Sequence, residues 1–322
     1  MIRLPMYPSP RPRPADPATA RPVEITVDGA AVTVPEGATL LDACAAAGVE
    51  TPTLCFAANL TPVNACRVCV VELDGARTLV PACSRKAEPA MVVRTDSPRV
   101  RTARKLVLEL LGSSVDLSAA PQVAAWMTRY GAAPERFGPP APAAAHGAGP
   151  VAPAGHHHAT DGATAATVAQ PVTVDNDLFV RDYGKCILCY KCVEACGDDA
   201  QHTYAIAVAG RGFDARISTE LAVALPDSAC VFCGNCVNAC PTGALLFRQE
   251  HALREAGAWD PARQAQTTTV CPYCGVGCAI TLHTQDNQVV KVTSPLDSSV
   301  THGNLCVKGR FGWQYVGDKP AE

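Results

Sequence analysis

Sixteen of the seventeen cysteines in this chain fall into four groups of four, and this clustering restricts the fold more than any other feature of the 322 residues. With xn for n intervening residues, the groups, called here the first to fourth tetrads, are Cys55-x10-Cys66-x2-Cys69-x13-Cys83, Cys186-x2-Cys189-x2-Cys192-x3-Cys196, Cys230-x2-Cys233-x2-Cys236-x3-Cys240 and Cys271-x2-Cys274-x3-Cys278-x27-Cys306. Thiolates are soft metal ligands, and four of them on short loops are typical of iron–sulfur clusters. Four such sites predict a chain that carries single electrons.

Composition and charge limit the partners and the cellular compartment that we expect for this chain. The net charge of −3 gives no reason to expect nucleic acid as a partner. Residues 1–22 are rich in proline and lack the apolar run of an export signal. No later stretch approaches the roughly 18 continuous apolar residues that suggest a membrane span. We therefore expect a cytoplasmic protein, away from membranes, whose thiols stay reduced and free to bind metal.

Sequence patterns predict an α+β multi-domain chain built from small modules. The predicted segments are 1–22, disordered; 23–98, a β-grasp [2Fe-2S] ferredoxin domain; 99–131, helical; 132–172, a linker; 173–250, a bacterial-type double-cluster ferredoxin; 251–265, a connector; and 266–322, a small β-rich [4Fe-4S] module. The linker assignment follows from composition, because 26 of its 41 residues are Ala, Pro or Gly and such a segment cannot build a core. Within the helical segment, the pattern predicts a helix over 101–111, ended by Gly112-Ser113-Ser114.

The first module begins with a hairpin pattern. Alternating apolar residues from Val23 lead to a tight turn at Asp28-Gly29, and a capping box starts at Thr39 with Asp42 in the Glu position. Hairpin, helix and cysteine loop is the order of a β-grasp ferredoxin. Cys44, the cysteine outside the tetrads, lies on one face of that helix and is predicted to be a buried structural thiol.

The first tetrad is predicted to hold a [2Fe-2S] cluster. Its loop must curl tightly around the cluster, and Asn64 tolerates the positive φ that such a curl requires. A zinc site, which needs only four thiolates at tetrahedral angles, is the alternative.

The second and third tetrads repeat one spacing and predict two [4Fe-4S] clusters with crossed ligands. In this arrangement three closely spaced cysteines wrap one cluster, and the fourth ligates the other. The predicted sets are therefore Cys186, Cys189, Cys192 and Cys240 for one cluster, and Cys230, Cys233, Cys236 and Cys196 for the other. Zinc is a poor competitor for eight thiolates in this register. Arg181, Lys185 and Lys191, which flank these cysteines, are predicted to be solvated surface charges.

Two parts of the sequence resemble known families. The first tetrad, with Asn64-Ala65-Cys66-Arg67-Val68-Cys69 at its centre, resembles the N-terminal ferredoxin domain of NADH dehydrogenase large subunits and of formate dehydrogenases. The fourth, Cys271-Pro-Tyr-Cys-Gly-Val-Gly-Cys278 followed by Asn304-Leu-Cys-Val-Lys-Gly-Arg310, resembles the N-terminal [4Fe-4S] domain of molybdopterin oxidoreductases. That resemblance implies a third [4Fe-4S] cluster on Cys271, Cys274, Cys278 and Cys306. It also implies that Lys308 lies between cluster and pterin as an electron relay.

The order of the modules resembles the front end of a cytoplasmic formate dehydrogenase large subunit. This implies formate oxidation at a molybdenum or tungsten bis-pterin (bis-MGD) site, with electrons passing to a flavin/NAD-reducing subunit. The chain contains none of the pterin-domain residues, so we expect that site on a partner chain, a molybdopterin catalytic subunit. The family usually has a further cluster on one His and three Cys; residues 104–172 contain no cysteine, and His146 and His156-His157-His158 are predicted to be solvated in the linker.

Other functions stay open at this point. The chain fits an accessory subunit of a hydrogenase or NADH dehydrogenase, which share the first-tetrad motif. It also fits a truncated formate dehydrogenase α subunit without its own catalytic domain. A redox sensor is the hypothesis from a different class, but the sequence shows no helix-turn-helix or basic helix pair to serve as its DNA-binding element.

Overall fold

The helices and strands gather in two units, each described here by itself. The computed structural model describes residues 20–138, 155–157, 167–170, 172–212, 215–313 and 316. Of these, the first unit takes in residues 20–56 and 62–138, and the second takes in residues 57–61 and 155–316. Of the predicted disordered segment 1–22, residues 1–19 lie outside the described residues, and the first strand begins at Pro22.

The first unit contains a five-stranded sheet and three α-helices. Its strands are β1 (Pro22–Val27), β2 (Ala30–Pro35), β3 (Val70–Leu73), β4 (Val80–Pro81) and β5 (Val92–Arg94), in the order β2-β1-β5-β3-β4. Strands β1 and β2 form the predicted antiparallel hairpin around Asp28-Gly29, and β1 pairs in parallel with β5. The helices are α1 (Leu40–Ala46), α2 (Pro98–Ser114) and α3 (Pro121–Tyr130), followed by a 3-10 helix at Pro134–Phe137.

The core of this unit lies between the sheet and α1. The alternation predicted from the sequence places Val23, Ile25 and Val27 on the buried face of β1, because successive side chains of a strand point to opposite faces. Helix α1 adds Leu40 and Cys44, both fully buried. The prediction that Cys44 is a buried thiol is confirmed.

Helix α1 begins with the predicted capping box. The Asp42 N–H donates to Thr39 Oγ1 at 3.2 Å, and the Thr39 N–H donates to Asp42 Oδ2 at 2.7 Å. Gly48, with φ of 72°, follows the last turn, as a left-handed residue does at many helix ends.

Removing this cap should destabilise the first unit measurably. We expect Thr39→Ala to lower its free energy of unfolding by about 1 kcal/mol, since the Asp42 N–H loses its acceptor. Thr78→Ala, at an exposed position outside any helix or strand, serves as the control and should change stability by less than about 0.5 kcal/mol. Chemical denaturation followed by circular dichroism measures both; equal effects would contradict the capping role.

Helix α2 is longer than the sequence predicts and does not stop at Gly112-Ser113-Ser114. It extends three residues beyond each end of the predicted 101–111 segment. Gly112 instead serves packing, because a Cβ there would lie 2.6 Å from Met127 Cε and 2.7 Å from Pro134 Cγ. The predicted stop was wrong because a glycine needed for close approach has the same sequence signature as a helix terminator.

Two buried charges tie the helical segment to its neighbours. Arg104 donates to the Tyr130 hydroxyl at 2.7 Å and to the carbonyl of Val70 on β3 at 3.0 Å. Glu109, also fully buried, accepts from the Ala133 N–H at 3.1 Å and pairs with Arg136 at 2.8 Å. The first residues of the predicted linker, 132–138, therefore pack against α2. Of the rest of that linker, the structure describes residues 155–157, 167–170 and 172, and His146 and His158 lie outside the described residues.

The second unit contains many short elements. Its strands are β6 (Gly155–His157), β7 (Thr167–Ala169), β8 (Phe179–Arg181), β9 (Ala207–Ala209), β10 (Arg216–Ser218), β11 (Leu245–Phe247), β12 (Gln264–Val270), β13 (Ala279–Gln285) and β14 (Gln288–Thr293). Its helices are α4 (Lys191–Cys196), α5 (Asn235–Ala239), α6 (Arg248–Glu255) and α7 (Val307–Phe311). Its 3-10 helices are Tyr183–Lys185, Glu220–Ala222, Leu225–Asp227 and Pro261–Arg263.

The pairing of these strands separates two parts of the unit. Strand β8 pairs with β11, and β9 pairs with β10, both antiparallel. A separate antiparallel sheet has the order β12-β13-β14. Strands β13 and β14 are joined by a turn at Asp286-Asn287, where both residues have positive φ. Strand β12 was missed because its polar sequence shows no burial alternation; six of its seven residues are exposed.

Among the described residues, no helix has both the length and the apolar character needed to cross a membrane.

Candidate metal centres

The first tetrad lies entirely within the first unit, and its thiols form two close pairs. The sulfurs of Cys69 and Cys83 are 3.5 Å apart. In the other pair, the Cys55 N–H points to Cys66 Sγ and the Cys66 N–H points to Cys55 Sγ, both at 3.5 Å. Two thiolates on one tetrahedral metal ion, with metal–sulfur bonds of about 2.3 Å, lie about 3.8 Å apart. The distance between the sulfurs of Cys69 and Cys83 therefore suits two ligands of one metal ion.

The loop that carries Cys66 and Cys69 is held in a strained backbone conformation. Asn64 has φ of 62°, as predicted, and Arg67 has φ of 59°. The Asn64 side chain has a second role that the sequence did not reveal. Its Oδ1 accepts from the Ser84 hydroxyl at 2.7 Å and lies 3.5 Å from Cys83 Sγ, so it joins the loop to the segment that supplies the fourth thiol.

Close pairing also changes the acidity of these thiols. A hydrogen bond shared with Cys66 lowers the pKa of Cys55 to about 6, and one shared with Cys83 lowers the pKa of Cys69 to about 7. Thiolates rather than thiols bind metal. The same hydrogen bonds raise the pKa of the partner thiols, Cys66 and Cys83.

The second and third tetrads line two cavities in the second unit. One cavity is bordered by Cys186, Cys189, Cys192 and Cys240, and the other by Cys230, Cys233, Cys236 and Cys196. The fourth cysteine of each sequence run thus lies at the cavity of the other run. This is the grouping predicted for crossed ligation, although which cluster each thiol binds stays a prediction.

The two cavities have matching backbone geometry. Leu188 and Phe232, two residues after the first cysteine of each run, both have positive φ, at 50° and 53°. In each case the residue's N–H donates to the sulfur of that first cysteine, Cys186 or Cys230, at 3.4 Å. Backbone N–H groups that donate to sulfur stabilise thiolate ligands. The backbone of each loop therefore favours the thiolate form of its first cysteine.

Burial dominates the acidity of the thiols in these cavities. It raises the pKa of Cys186 to about 11 and that of Cys189 to about 12, with the neighbouring Cys240 thiol adding to the effect. The pKa of Cys192 and that of Cys236 are raised further for the same reason. Buried thiolates need a positive partner, and metal binding supplies one.

Arg181 and Tyr183 border these cavities, and the sequence did not indicate their place there. Arg181 was predicted to be solvated, but it is buried and pairs with Asp175. Tyr183 borders both cavities. Neither its hydroxyl nor Arg181 Nε has a hydrogen-bond partner within the described part of the chain. Burial raises the pKa of Tyr183 above its usual range, so the hydroxyl stays a donor.

The other two charges predicted to be solvated are also partly enclosed. Lys185 pairs with Asp182, and its side chain is only 18% exposed. Lys191 is half-buried at the start of α4. The prediction of solvated charges was therefore wrong for Arg181 and Lys185, because each is enclosed beside an aspartate, Asp175 or Asp182.

The fourth tetrad lies at the surface of the second unit. Cys271 is buried, whereas Cys274 and Cys306 are exposed. Burial raises the pKa of Cys278, and the thiols of the other three cysteines add to the rise, so the four sulfurs are neighbours. Lys308 is exposed beside them. Of the two glycines in this loop, Gly277 has the positive φ of 67°, and Gly275 does not.

A buried arginine joins this tetrad to the third one, and nothing in its sequence context indicated that role. Arg310 Nη2 donates to Asn235 Oδ1 at 2.9 Å, and its Nη1 donates to the carbonyl of Val292 at 3.1 Å. Asn235 lies between the ligands Cys233 and Cys236, and its Oδ1 also accepts from the Leu305 N–H at 3.0 Å. Burial lowers the pKa of Arg310 to about 10, and the Cys233, Cys236 and Cys306 thiols oppose that change.

The residues of all four sites suit iron–sulfur clusters. Within the described ranges, no three His, Cys, Asp or Glu side chains converge on the position of a single ion. In the second and third tetrads the thiols instead border two cavities, four thiols to each. At the wall of one cavity, Arg181 Nε and the Tyr183 hydroxyl have no hydrogen-bond partner among the described residues. Sulfide within a cluster is a hydrogen-bond acceptor and could satisfy such donors.

Three segments match known domain families. Residues 20–98 match the 2Fe-2S iron-sulfur cluster binding domain, residues 185–244 match the 4Fe-4S dicluster domain, and residues 264–318 match the molybdopterin oxidoreductase Fe4S4 domain. The chain contains iron–sulfur cluster binding domains and is called here the iron–sulfur chain. The three matches cover all four tetrads of the iron–sulfur chain and leave the linker between them unassigned.

Curated relatives of the iron–sulfur chain are oxidoreductase subunits. The NADPH-Fe(3+) oxidoreductase subunit alpha of Geobacter sulfurreducens is 32% identical over 308 residues, covering 91% of this chain and 31% of the relative. A subunit of an NADH-quinone oxidoreductase of Rhizobium meliloti is 30% identical over 302 residues, with the same coverage of each. The iron–sulfur chain therefore spans about a third of the length of these relatives. A putative formate dehydrogenase of Staphylococcus haemolyticus is 26% identical over 331 aligned positions.

A solved structure shares the fold. The NAD+-reducing [NiFe]-hydrogenase in its H2-reduced state superposes with a TM-score of 0.55 at 24% sequence identity, covering 70% of the iron–sulfur chain and 87% of that chain. At this identity the likeness supports the fold and carries no statement about activity.

Proposed function

We propose that the iron–sulfur chain relays electrons between a molybdenum or tungsten pterin site on a partner chain and a flavin-containing subunit that reduces NAD or NADP, with formate as the substrate of the pterin site. The observation that carries the proposal is the grouping of three thiol tetrads in one unit, where Tyr183 borders the second and third and Arg310 joins the third and fourth. We assign a β-grasp fold to the first module, one [2Fe-2S] cluster to the first tetrad, and three [4Fe-4S] clusters to the others.

When bound, such clusters accept and release single electrons over a wide range of potentials. The residues of the chain hold, orient and shield them. Thiolates ligate the iron, and the N–H groups of Leu188 and Phe232 are directed at ligand sulfurs. Aromatic and aliphatic side chains such as Phe179 and Leu225 exclude water from the cavity of the third tetrad. With no disulfide among the seventeen cysteines, all of them described, we place the chain in a reducing compartment, the cytoplasm.

The surface around the fourth tetrad supports the placement of the pterin partner. Cys274 and Cys306 are exposed together with Lys308. Val270 and Val276 nearby are more than half exposed, at 62% and 60%, and β12 presents an edge that no other described strand pairs with. Exposed apolar side chains next to an unpaired strand edge are typical of a protein interface. We propose that the pterin chain covers this surface and that Lys308 then lies between cluster and pterin.

Copurification and reduction by formate would test the function. The chain, purified anaerobically with the proteins that accompany it in cells, should contain about fourteen irons per chain if each tetrad holds its proposed cluster. Formate should bleach the visible absorption and produce cluster EPR signals, and NAD or NADP should reverse both. A complex with full iron that responds to dithionite but not to formate would reject the formate assignment, and hydrogen is the next donor to try.

Lys308 offers a narrower test of the same proposal. Replacing Lys308 with Met should slow formate-dependent reduction of the clusters at least tenfold, because a charged side chain between donor and acceptor would be lost. Reduction by dithionite, which reaches clusters from solvent, should stay unchanged. Lys291→Met provides a matched control, since Lys291 lies in the same module but pairs with Glu250 at 3.1 Å. Stopped-flow absorbance measures both rates, and equal loss in the two variants would contradict the role.

A hydrogenase partner is the second candidate. The NADP-reducing hydrogenase subunit HndD of Solidesulfovibrio fructosivorans is 34% identical over 228 residues, covering 69% of this chain. The match of residues 264–318 to the molybdopterin oxidoreductase Fe4S4 domain favours the pterin partner instead.

A further inference from the structure

The guanidinium of Arg310 is a buried charge for which the described residues provide no acidic partner. The side chain is 1% exposed. Its donors Nη1 and Nη2 reach a carbonyl and an amide oxygen, both uncharged, and Nε has no hydrogen-bond partner among the residues described. None of the ion pairs found in that part of the chain includes Arg310. An isolated buried charge is costly unless an opposite charge compensates it.

Thiols of the two neighbouring tetrads supply that opposite charge once they ligate metal as thiolates. Cys233, Cys236 and Cys306 all interact electrostatically with the guanidinium. Asn235 fixes its position by accepting from Nη2, and Gly234 allows its close approach, because a Cβ at residue 234 would lie 2.8 Å from Arg310 Cγ. The arginine is therefore held in one place between the third and fourth tetrads.

We propose that Arg310 raises the reduction potentials of the clusters on the third and fourth tetrads. A reduced cluster carries one more negative charge than an oxidised one, so a fixed positive charge stabilises the reduced form. The effect is largest in a water-poor interior, where charges interact strongly. Because one guanidinium lies near both sites, it should raise both potentials. This inference rests on the cluster assignment proposed above.

An EPR redox titration of the whole purified complex would test the role. In Arg310→Met, the ratio of reduced to oxidised centres at a fixed solution potential should fall roughly tenfold for the third and fourth tetrads, equivalent to about 59 mV for one electron. The centre of the second tetrad should not move. Its signal is identified as the one lost in Cys186→Ala, and it serves as the internal reference.

Two further variants separate charge from packing. Arg310→Lys keeps the charge and should return both potentials close to their original values. Arg263→Met removes a half-exposed arginine of the same module, one that pairs with Asp286, and should leave every potential unchanged. If Arg310→Met fails to bind iron, Arg310→Gln, which can still donate to Asn235, takes its place in the titration.

The possible results separate failure of the Arg310 role from failure of the proposed cluster assignment. A preparation without iron or cluster signals in the unmodified complex would reject the cluster assignment. Full iron content with unshifted potentials in Arg310→Met would overturn the electrostatic role. Loss of iron in both neutral variants would also overturn it, in favour of a purely structural role for Arg310.

Discussion

Replacing Cys196 and Cys230 together with alanine should remove one [4Fe-4S] cluster and leave the other two intact. Both thiols border the same cavity. The two substitutions therefore remove ligands from a single site. The purified chain should therefore lose about four irons of about fourteen. Iron and sulfide analysis with spin quantification of the reduced protein measures the loss.

The matched control replaces Cys196 together with Cys192, instead of together with Cys230. Cys196 and Cys192 are four residues apart on α4, yet they border different cavities. Replacing both with alanine should remove two clusters and about eight irons. Ligation within each sequence run predicts the reverse, with the larger loss for the Cys196 and Cys230 pair. That reversed result would contradict crossed ligation, and no change in iron for either pair would contradict cluster binding at these tetrads.

The sequence was a good guide wherever one residue type dictates the local structure. Thr39 and Asp42 indicated a helix start, Asp28-Gly29 indicated a hairpin, and the repeated cysteine spacing indicated paired sites, all of which the structure contains. In the helix start and the hairpin the interaction spans only a few residues. Local hydrogen bonds and turn conformations therefore determine the outcome, and distant contacts do not overturn it.

What the sequence could not reveal depends on contacts between distant segments. Arg181 looks like an ordinary surface arginine, and its burial becomes apparent only when Asp175 is placed beside it. Arg310 meets Asn235 across 75 residues of sequence. Leu188 and Phe232 adopt positive φ although neither residue favours it. Such strained conformations persist only where the surrounding structure enforces them. Here both residues lie in loops whose cysteines border the two cavities.

The largest stability effect is expected for Gly234→Ala. Gly234 follows Cys233 and has φ of 70°, a conformation that costs an L-residue about 1–2 kcal/mol. Tyr190 holds the same position in the second tetrad with φ of 63°, so the conformation alone is tolerated. The decisive contact is with α7, since a Cβ at residue 234 would lie 2.7 Å from the Phe311 ring.

That ring cannot easily move aside. Phe311 stacks on Phe179 with centroids 6.0 Å apart and packs against Phe247 at 5.6 Å. Overpacking of such a core costs about 1–3 kcal/mol, so the total for Gly234→Ala should be roughly 2–5 kcal/mol. We expect faster amide hydrogen exchange in Val307–Phe311 and a lower unfolding midpoint for the second unit.

Gly275 provides the matched control for this substitution. It follows Cys274 as Gly234 follows Cys233, but it lacks positive φ, and a Cβ added there would have no atom within 4 Å. Gly275→Ala should therefore leave both exchange and midpoint within error of the unmodified chain. Similar losses in the two variants would mean that any alanine next to a ligand cysteine disturbs cluster binding. In that case the close contact between Gly234 and α7 would not explain the loss of stability in Gly234→Ala.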